Sequence, residues 1–434
     1  MKKYFYNFNW LLIEKIIQIF GGLFIGVWVA RYLGPNDFGI LSYALAFIAF
    51  FSWLSQLGLN QILVREIIKF PEKTYEIIGT AFFLKLFGGI IAVGLVFLSV
   101  NLVKPNNSII KLVTILLSTG FIFQSLDIIE LYYQANVLSK YTVIAKNIAF
   151  ICSSLFKIFF ILKEYSVEYF AIAHIIDLFL AGGLLLFVYT ITGHSIKYWK
   201  FNKEIAVALI KYSWPLMISS FLITIHMKID QIMIDSMLTI KDVGTYSVAV
   251  RLSESWYFIP TIIVATLLPY FVDLRKKNLD LYTKQIIQLL SLMFWLGIII
   301  GMIVLCFGKD LILLVFGIQY ADSYLPLAFN IWGGILVSQG LVCGVWLIAE
   351  NMQIYRLYTQ LISVVFNISA NLIVIPILGI TGAAISTFLT YLIATWVLGF
   401  LFKKTRTTVF MMFKSMNPYY IFLFIKEKLH GQFL

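Results

Sequence analysis

The sequence predicts an all-α polytopic membrane protein. Twelve transmembrane helices form two six-helix halves related by an internal repeat, with both termini cytoplasmic. Three observations lead there: a composition too apolar for water, apolar runs of about 20 residues separated by short polar breaks, and a motif that recurs half a chain later.

Of 434 residues, 61% are hydrophobic and 12% charged, against about 45–50% and 25% in soluble domains. Mean hydropathy is +0.92. Such a chain has too little polar surface to cover a water-soluble globule. Phosphate-cradling G-x-x-x-x-G-K-[ST] and metalloprotease H-E-x-x-H patterns are both missing from the sequence. The cysteines at 152, 306 and 343 have neither metal-ligand spacing nor the look of a disulfide framework. No metal, cofactor or catalytic constellation is expected. The net charge of +12 raises the question of nucleic acid, which the distribution of the basic residues answers in favour of membrane topology.

Taken in order, the apolar segments are 10–31, 38–60, 77–101, 108–133, 142–162, 168–191, 205–228, 243–271, 282–307, 323–348, 357–376 and 380–402. The first is too long for a signal peptide and lacks a small-residue cleavage site, so it reads as a membrane helix. None of the connections is long enough to fold by itself. Backbone groups in lipid must be satisfied within the segment, which makes the spans helices. The chain then divides into residues 1–197, residues 198–402 and a basic cytoplasmic tail, 403–434. The tail's apolar patches are too short to span, so it reads as interfacial.

Lys and Arg set the orientation. Twenty of the 33 basic residues fall on the loops of one side, among them Lys69, Lys73, Lys140, Lys197, Lys200, Arg275 and Lys403. Six fall on the other: Arg31, Lys104, Lys111, Lys163, Lys241 and Lys309. The richer side is cytoplasmic.

The repeat aligns Leu33–Ala44 with Leu238–Ala249, with five of twelve positions identical. Gly34, Pro35, Asp37 and Gly39 mark the first copy, Asp242 and Gly244 the second. Each copy joins an odd segment to the next even one. Parallel repeats of this kind are common in transporters that open a midplane site alternately to either side.

Ionisable side chains at membrane depth are expensive and point to function. Lys15, Lys146, Lys157 and Lys228 lie near segment ends, where a long side chain can reach the interface. Lys85 and Arg251 are deeper, eight residues into their segments. Arg251 and Glu254, at i and i+3, share a helix face, as do His174 and Asp177. Asp127 and Glu130 are expected on one face with Gln124. Each set reads either as a satisfied buried pair or as lumen lining. His174 and Asp177 could relay a proton, since a neighbouring carboxylate tunes an imidazole across the physiological range. Embedded charges of both signs nearly balance, so sign alone does not name a substrate. Pro215, Pro260, Pro269 and Pro376 mark helix bends, and Gly21-Gly22-x-x-x-Gly26 allows close helix approach.

The stretch Ala30-Arg-Tyr-Leu-Gly-Pro-Asn-Asp-Phe-Gly39, followed by Ile-Leu-Ser-Tyr-Ala, resembles the signature after the first helix of bacterial polysaccharide and O-antigen flippases. These belong to the multidrug/oligosaccharidyl-lipid/polysaccharide exporter superfamily. The resemblance implies translocation of an undecaprenyl-diphosphate-linked oligosaccharide from the cytoplasmic to the periplasmic leaflet of the bacterial inner membrane. It implies alternating access, coupling to H+ or Na+, and a polysaccharide polymerase with its chain-length machinery as partners. Arg31 falls in the matching motif, and Arg251 resembles the basic residue that related flippases carry in the eighth helix. A diphosphate needs cationic partners when buried, and the guanidinium fork suits it. Lys85 and Glu254 complete the expected lumen set; His174, Asp177, Asp127 and Glu130 are the expected ion-coupling set.

Three alternatives stay open. A cation-coupled multidrug antiporter of the same superfamily would favour acidic and aromatic lining. A peptidoglycan-precursor flippase would carry two more helices. An enzyme acting on lipid-linked sugars would need a larger external loop than the dozen or so residues available.

Overall fold

The computed structural model describes residues 2–350 and 352–429. The expected tail is therefore described as far as Leu429, and 430–434 lie outside. Every regular element among the described residues is helical. The chain divides into two compact units, Met1–Ile232 and Met233–Leu434. Their junction falls inside one continuous helix, whereas the sequence halves part at 197/198, in the connection before it.

The first unit contains α1 (Lys2–Ala49), α2 (Leu59–Lys69), α3 (Thr74–Val103), α4 (Ser108–Ser118), α5 (Ile128–Ala135), α6 (Lys140–Leu162), α7 (Val167–Ile191) and most of α8 (Lys203–Met237). Asn107 starts α4 by accepting from the Ile110 N–H at 2.9 Å, an N-cap role its short amide suits.

Residues 7–32 of α1 run parallel to α6 in fixed register. Asn7 Oδ1 accepts from the Ser139 N–H at 2.7 Å. Glu14 pairs with Lys146, and Tyr32 donates to the Tyr165 carbonyl at 2.9 Å. A Cβ on Gly21 would strike the Phe150 ring, while nothing comes within 4 Å of one on Gly22. The close approach expected of the glycine pair is thus seen at Gly21.

At Gly34 the backbone takes φ 70°, ψ 172°, which glycine adopts without a Cβ penalty. The chain reverses there. Past it, the Tyr43 ring meets Lys104 at the end of α3, and the Leu54 carbonyl sits where a Gly88 side chain would be. That leg therefore runs antiparallel to α3. The unit's core joins Leu59, Leu63, Ile78, Ile128, Tyr133 and Leu185.

The second unit contains α9 (Ile240–Glu254), α10 (Phe258–Lys277), α11 (Leu279–Val315), α12 (Tyr324–Ala349), α13 (Gln353–Leu392), α14 (Arg406–Ser415) and α15 (Pro418–Leu429). α9 and α10 meet at a 41° bend, with Pro260 in the first turn of α10, where its missing N–H costs nothing. α13 is two legs. Gly379 has φ 59°, ψ −142°, and Asn367 Nδ2 donates to Thr390 Oγ1 at 3.3 Å. Those residues would be about 34 Å apart in an unbroken helix. The chain folds back on itself at Gly379. The core of this unit gathers Phe271, Tyr282, Leu289, Met293 and Val342. Val409, Met411 and Met412 of α14 are buried in it, so part of the expected tail is packed against the bundle.

Among the described residues nine helices are long and apolar enough to cross a membrane, ten if the bent α9–α10 pair counts as one span. Their outer faces are apolar: Leu102, Leu314 and Ile377 are exposed by 81%, 77% and 72%. Surface of that kind is solvated by lipid, and the protein is a multi-pass membrane protein.

Candidate functional site

In the first unit the embedded charges lie within electrostatic reach of one another, around one ion-paired cluster. Lys146 Nζ lies 2.8 Å from Glu130 Oε2 and 3.4 Å from Glu14 Oε1. Gln18 Nε2 donates to Glu14 at 3.1 Å. Lys85, only 1% exposed, faces Asp127 and Glu130 electrostatically. Asp177 faces Lys157 and Lys146, and His174 faces Lys157. Burying charge is tolerable where an opposite charge lies close, as Glu14 and Glu130 do to Lys146.

One sequence expectation changes here. Lys146 is not engaged with the interface alone; it bridges two carboxylates of other helices, Glu14 and Glu130, and the buried Glu14 would be costly to leave ionised by itself. Gln124–Asp127 is a 3₁₀ turn, in which residues three apart eclipse. Gln124 meets Ser55 at 3.4 Å, Lys85 lies within electrostatic reach of both Asp127 and Glu130, and Glu130 binds Lys146. His174 and Asp177 are both directed at Lys157, and no hydrogen bond joins the two.

Arg31 is exposed at the end of the first leg of α1, beside the Gly34 turn and level with the connection after α6. The repeat motif does structural work in both copies. Gly34 makes the reversal, with Pro35 directly after it and Asn36 Nδ2 donating to Asp37 at 3.3 Å. In the second copy Asp242 closes a capping box with Thr239: the Thr239 N–H donates to Asp242 Oδ2 at 3.1 Å, and the Asp242 N–H to Thr239 Oγ1 at 3.3 Å. Such reciprocal bonds satisfy two of the orphan donors that start a helix. Gly244 is buried in the second turn.

In the second unit Arg251 and Glu254 occupy the last turn of α9, directly before the bend. A cation there is favoured by the carbonyl end of the helix. Tyr257 lies within electrostatic reach of Glu254 and Tyr391. Trp256 is buried, with its indole N–H lacking a hydrogen-bond partner. Composition did not reveal this break, yet the polar run Ser253-Glu254-Ser255 inside segment 243–271 is its signal. A second feature that the sequence pattern did not reveal is an uncharged ladder: Asn367, Asn371, Ser386 and Thr390 are all fully buried, with Asn371 Nδ2 donating to Asn367 Oδ1 at 3.4 Å and Asn367 Nδ2 to Thr390. Amides four apart on one leg are the pattern that announces it.

A third is a cavity of about 420 Å³ at the end of the first unit where α2, α5 and α7 finish and α3 begins. Tyr132 Oη and His194 Nε2 are 3.0 Å apart on its wall. Burial pulls the His194 imidazole below its usual range, which favours the neutral ring.

Residues 28–325 match the family described as Polysaccharide biosynthesis protein. Comparison with curated proteins gives no significant match. Among solved structures the fold is similar to an inward-facing multidrug resistance MATE family transporter of the MOP superfamily, at 14% identity, TM-score 0.71, covering 93% of this chain and 98% of that one. It is similar to the lipid II flippase MurJ in an inward closed conformation, at 15% identity, TM-score 0.72, covering 93% and 90%. An outward-facing MATE transporter matches at 14% identity and TM-score 0.60, covering 92% and 94%. With two-thirds of its length inside the family match, the chain belongs to the polysaccharide biosynthesis protein family.

Proposed function

We propose that the protein is a flippase that moves undecaprenyl-diphosphate-linked oligosaccharide from the cytoplasmic to the periplasmic leaflet of the bacterial inner membrane, by alternating access and coupled to H+ or Na+. The observation that carries the reading is the match to the polysaccharide biosynthesis family over 28–325, on a fold similar to that of a lipid II flippase. The whole ligand changes leaflet and no bond is broken, so the protein is not an enzyme. Twelve crossings follow when the fold-backs at Gly34 and Gly379 each split one helix and α9–α10 counts as one span. An even number, with the basic loops inside, puts both termini in the cytoplasm.

Arg251, with Glu254 beside it, is the diphosphate-binding residue in this reading, and Arg31 is the cationic residue of the motif at the end of the first leg of α1. Lys85 joins the coupling set in this reading, because Asp127 and Glu130 lie within its electrostatic reach. That set, in the first unit, counts Lys85, Lys146 and Lys157 against Glu14, Asp127, Glu130 and Asp177. One negative charge is left over, which a proton or Na+ would balance; His174 is its neutral neighbour. A polymerase and its chain-length machinery receive the product outside.

The comparable likeness to MATE transporters supports a second reading, cation-coupled export of drugs. Proteoliposomes separate the two. A fluorescent polyprenyl-diphosphate oligosaccharide is expected to cross between leaflets, and cationic dyes are not. Dye transport without lipid translocation would favour the second reading.

A further inference from the structure

We propose that the cavity walled by Tyr75, Tyr132, Asn136 and His194 is a carbohydrate-binding site, which receives the uncharged sugar headgroup at the cytoplasmic mouth of the first unit. The inference rests on the flippase reading and names the place where the glycan of that substrate first docks. Its volume, about 420 Å³, is within the range of roughly 300–1,000 Å³ for small-molecule sites.

The chemistry of the wall selects the ligand. No Lys or Arg lines the cavity, and no Asp or Glu, so neither a phosphate nor a cation finds a counter-charge there. Two phenol rings, an amide, an imidazole and the Thr74 hydroxyl supply its polar and aromatic wall, and Ile67, Ile68, Pro71 and Ala135 the apolar remainder. Ring faces carry the negative side of a quadrupole, which takes the C–H faces of a pyranose. The amide, phenol and neutral imidazole supply donors and acceptors of the kind that sugar hydroxyls need.

The wall is also built rather than accidental. The Tyr132 ring is held edge-on by Tyr133, Tyr189 and His194, with centroids at 5.4, 5.5 and 5.0 Å. His194 stacks on Tyr189 at 4.9 Å. Tyr189 accepts from the Trp199 indole N–H at 3.3 Å. Asn136, which lines the cavity, is positioned by its Nδ2 donating to the Tyr132 carbonyl at 2.9 Å. Tyr75 stands opposite, 37% exposed and 5.5 Å from Tyr198. An aromatic belt that only anchors a protein in the interface needs neither this bonding nor a concave pocket. Rigid aromatic walls bind with little ordering cost.

The test uses the full chain in detergent and two readouts. Saturation-transfer NMR is run with the free repeat-unit oligosaccharide, released by mild acid from the lipid-linked pool of the cells that make the protein, and with inorganic diphosphate as the competitor. Binding of the free sugar is expected, undisturbed by diphosphate. Tyr75→Ala, Tyr132→Phe and Asn136→Ala should each weaken it about two- to tenfold; Tyr75 is exposed, so its variant folds. Free sugar that does not bind, variants that bind as wild type, or displacement by diphosphate would overturn the site. Translocation in proteoliposomes is the second readout. Lipid translocation without sugar binding removes the pocket and leaves the flippase reading intact. Sugar binding without translocation upholds the pocket and removes the flippase reading.

Discussion

Lys146 and Glu130 meet at 2.8 Å across two helices, and the same ammonium reaches Glu14 of a third helix. Removing the cation leaves two part-buried carboxylates facing each other. Lys146→Met is expected to destabilise the protein by about 1–3 kcal/mol, less than for a fully buried pair because water reaches the ammonium and Glu130. The double variant with Glu130→Gln should recover part of that loss. Thermal unfolding in detergent of the four proteins of the cycle measures both terms; independence of the two substitutions would contradict the pairing.

Asp177 shares the neighbourhood of Lys157 and Lys146. In the coupling proposal it carries part of the uncompensated charge. Asp177→Asn is expected to keep substrate binding and to flatten the response of transport to an imposed proton or sodium gradient. Gradient-jump experiments in proteoliposomes give the answer, and an unchanged response removes Asp177 from the coupling set.

Arg251 lies at the carbonyl end of a half-helix. Arg251→Ala is expected to lower translocation at least about tenfold with normal abundance and unfolding temperature, since a charge-assisted contact to phosphate contributes more than a neutral one. Arg251→Lys should restore only part, because an ammonium lacks the planar fork. Wild-type export by the Ala variant would exclude Arg251 from the diphosphate site.

Much of the fold was legible because hydropathy reports apolar length directly. Gaps between segments 10–31 and 38–60, and between 357–376 and 380–402, straddle Gly34 and Gly379, the two residues where the backbone reverses. The Gly34-Pro35 dipeptide is a strong local turn signal, whereas Gly379 is marked only by the gap between its segments. The α9–α10 bend was not legible: Trp256, Tyr257 and Phe258 keep the average apolar while the backbone breaks. Partner choice was the least legible. Spacing places Lys146 near a segment end, and only packing of α1 and α5 against α6 brings Glu14 and Glu130 to it. The tyrosine–histidine wall is assembled from three connections that are remote in sequence, and no local pattern joins them.

His194 gives a pH dependence with a definite sign. Its unfolded value is about 6.5, and burial holds the folded value lower. Below about pH 6.5 the unfolded state takes up the proton first, so stability falls with pH there and is fully present above it. The ring is only part-buried, so the loss between pH 7.5 and 5.5 should be small, roughly 1–2 °C in Tm. His194→Gln is expected to reduce that slope. A scan of Tm against pH for the two proteins checks it, and equal slopes would assign the dependence elsewhere.

Gly379→Ala is expected to lower stability by about 1–3 kcal/mol, the strain of an L-residue at φ 59°, ψ −142°. Nothing lies within 4 Å of the added methyl, so the loss would come from the backbone alone. An unchanged Tm would show that the turn relaxes into a conformation open to alanine.

The single-residue reversal at Gly379 also constrains how its two legs sit in lipid. With no loop between the legs, neither can take up a position in the bilayer that the other does not share. The Asn367 amide and the Thr390 hydroxyl, one on each leg, satisfy one another, so each leg supplies the polar partner that the other would lack if it stood alone in lipid.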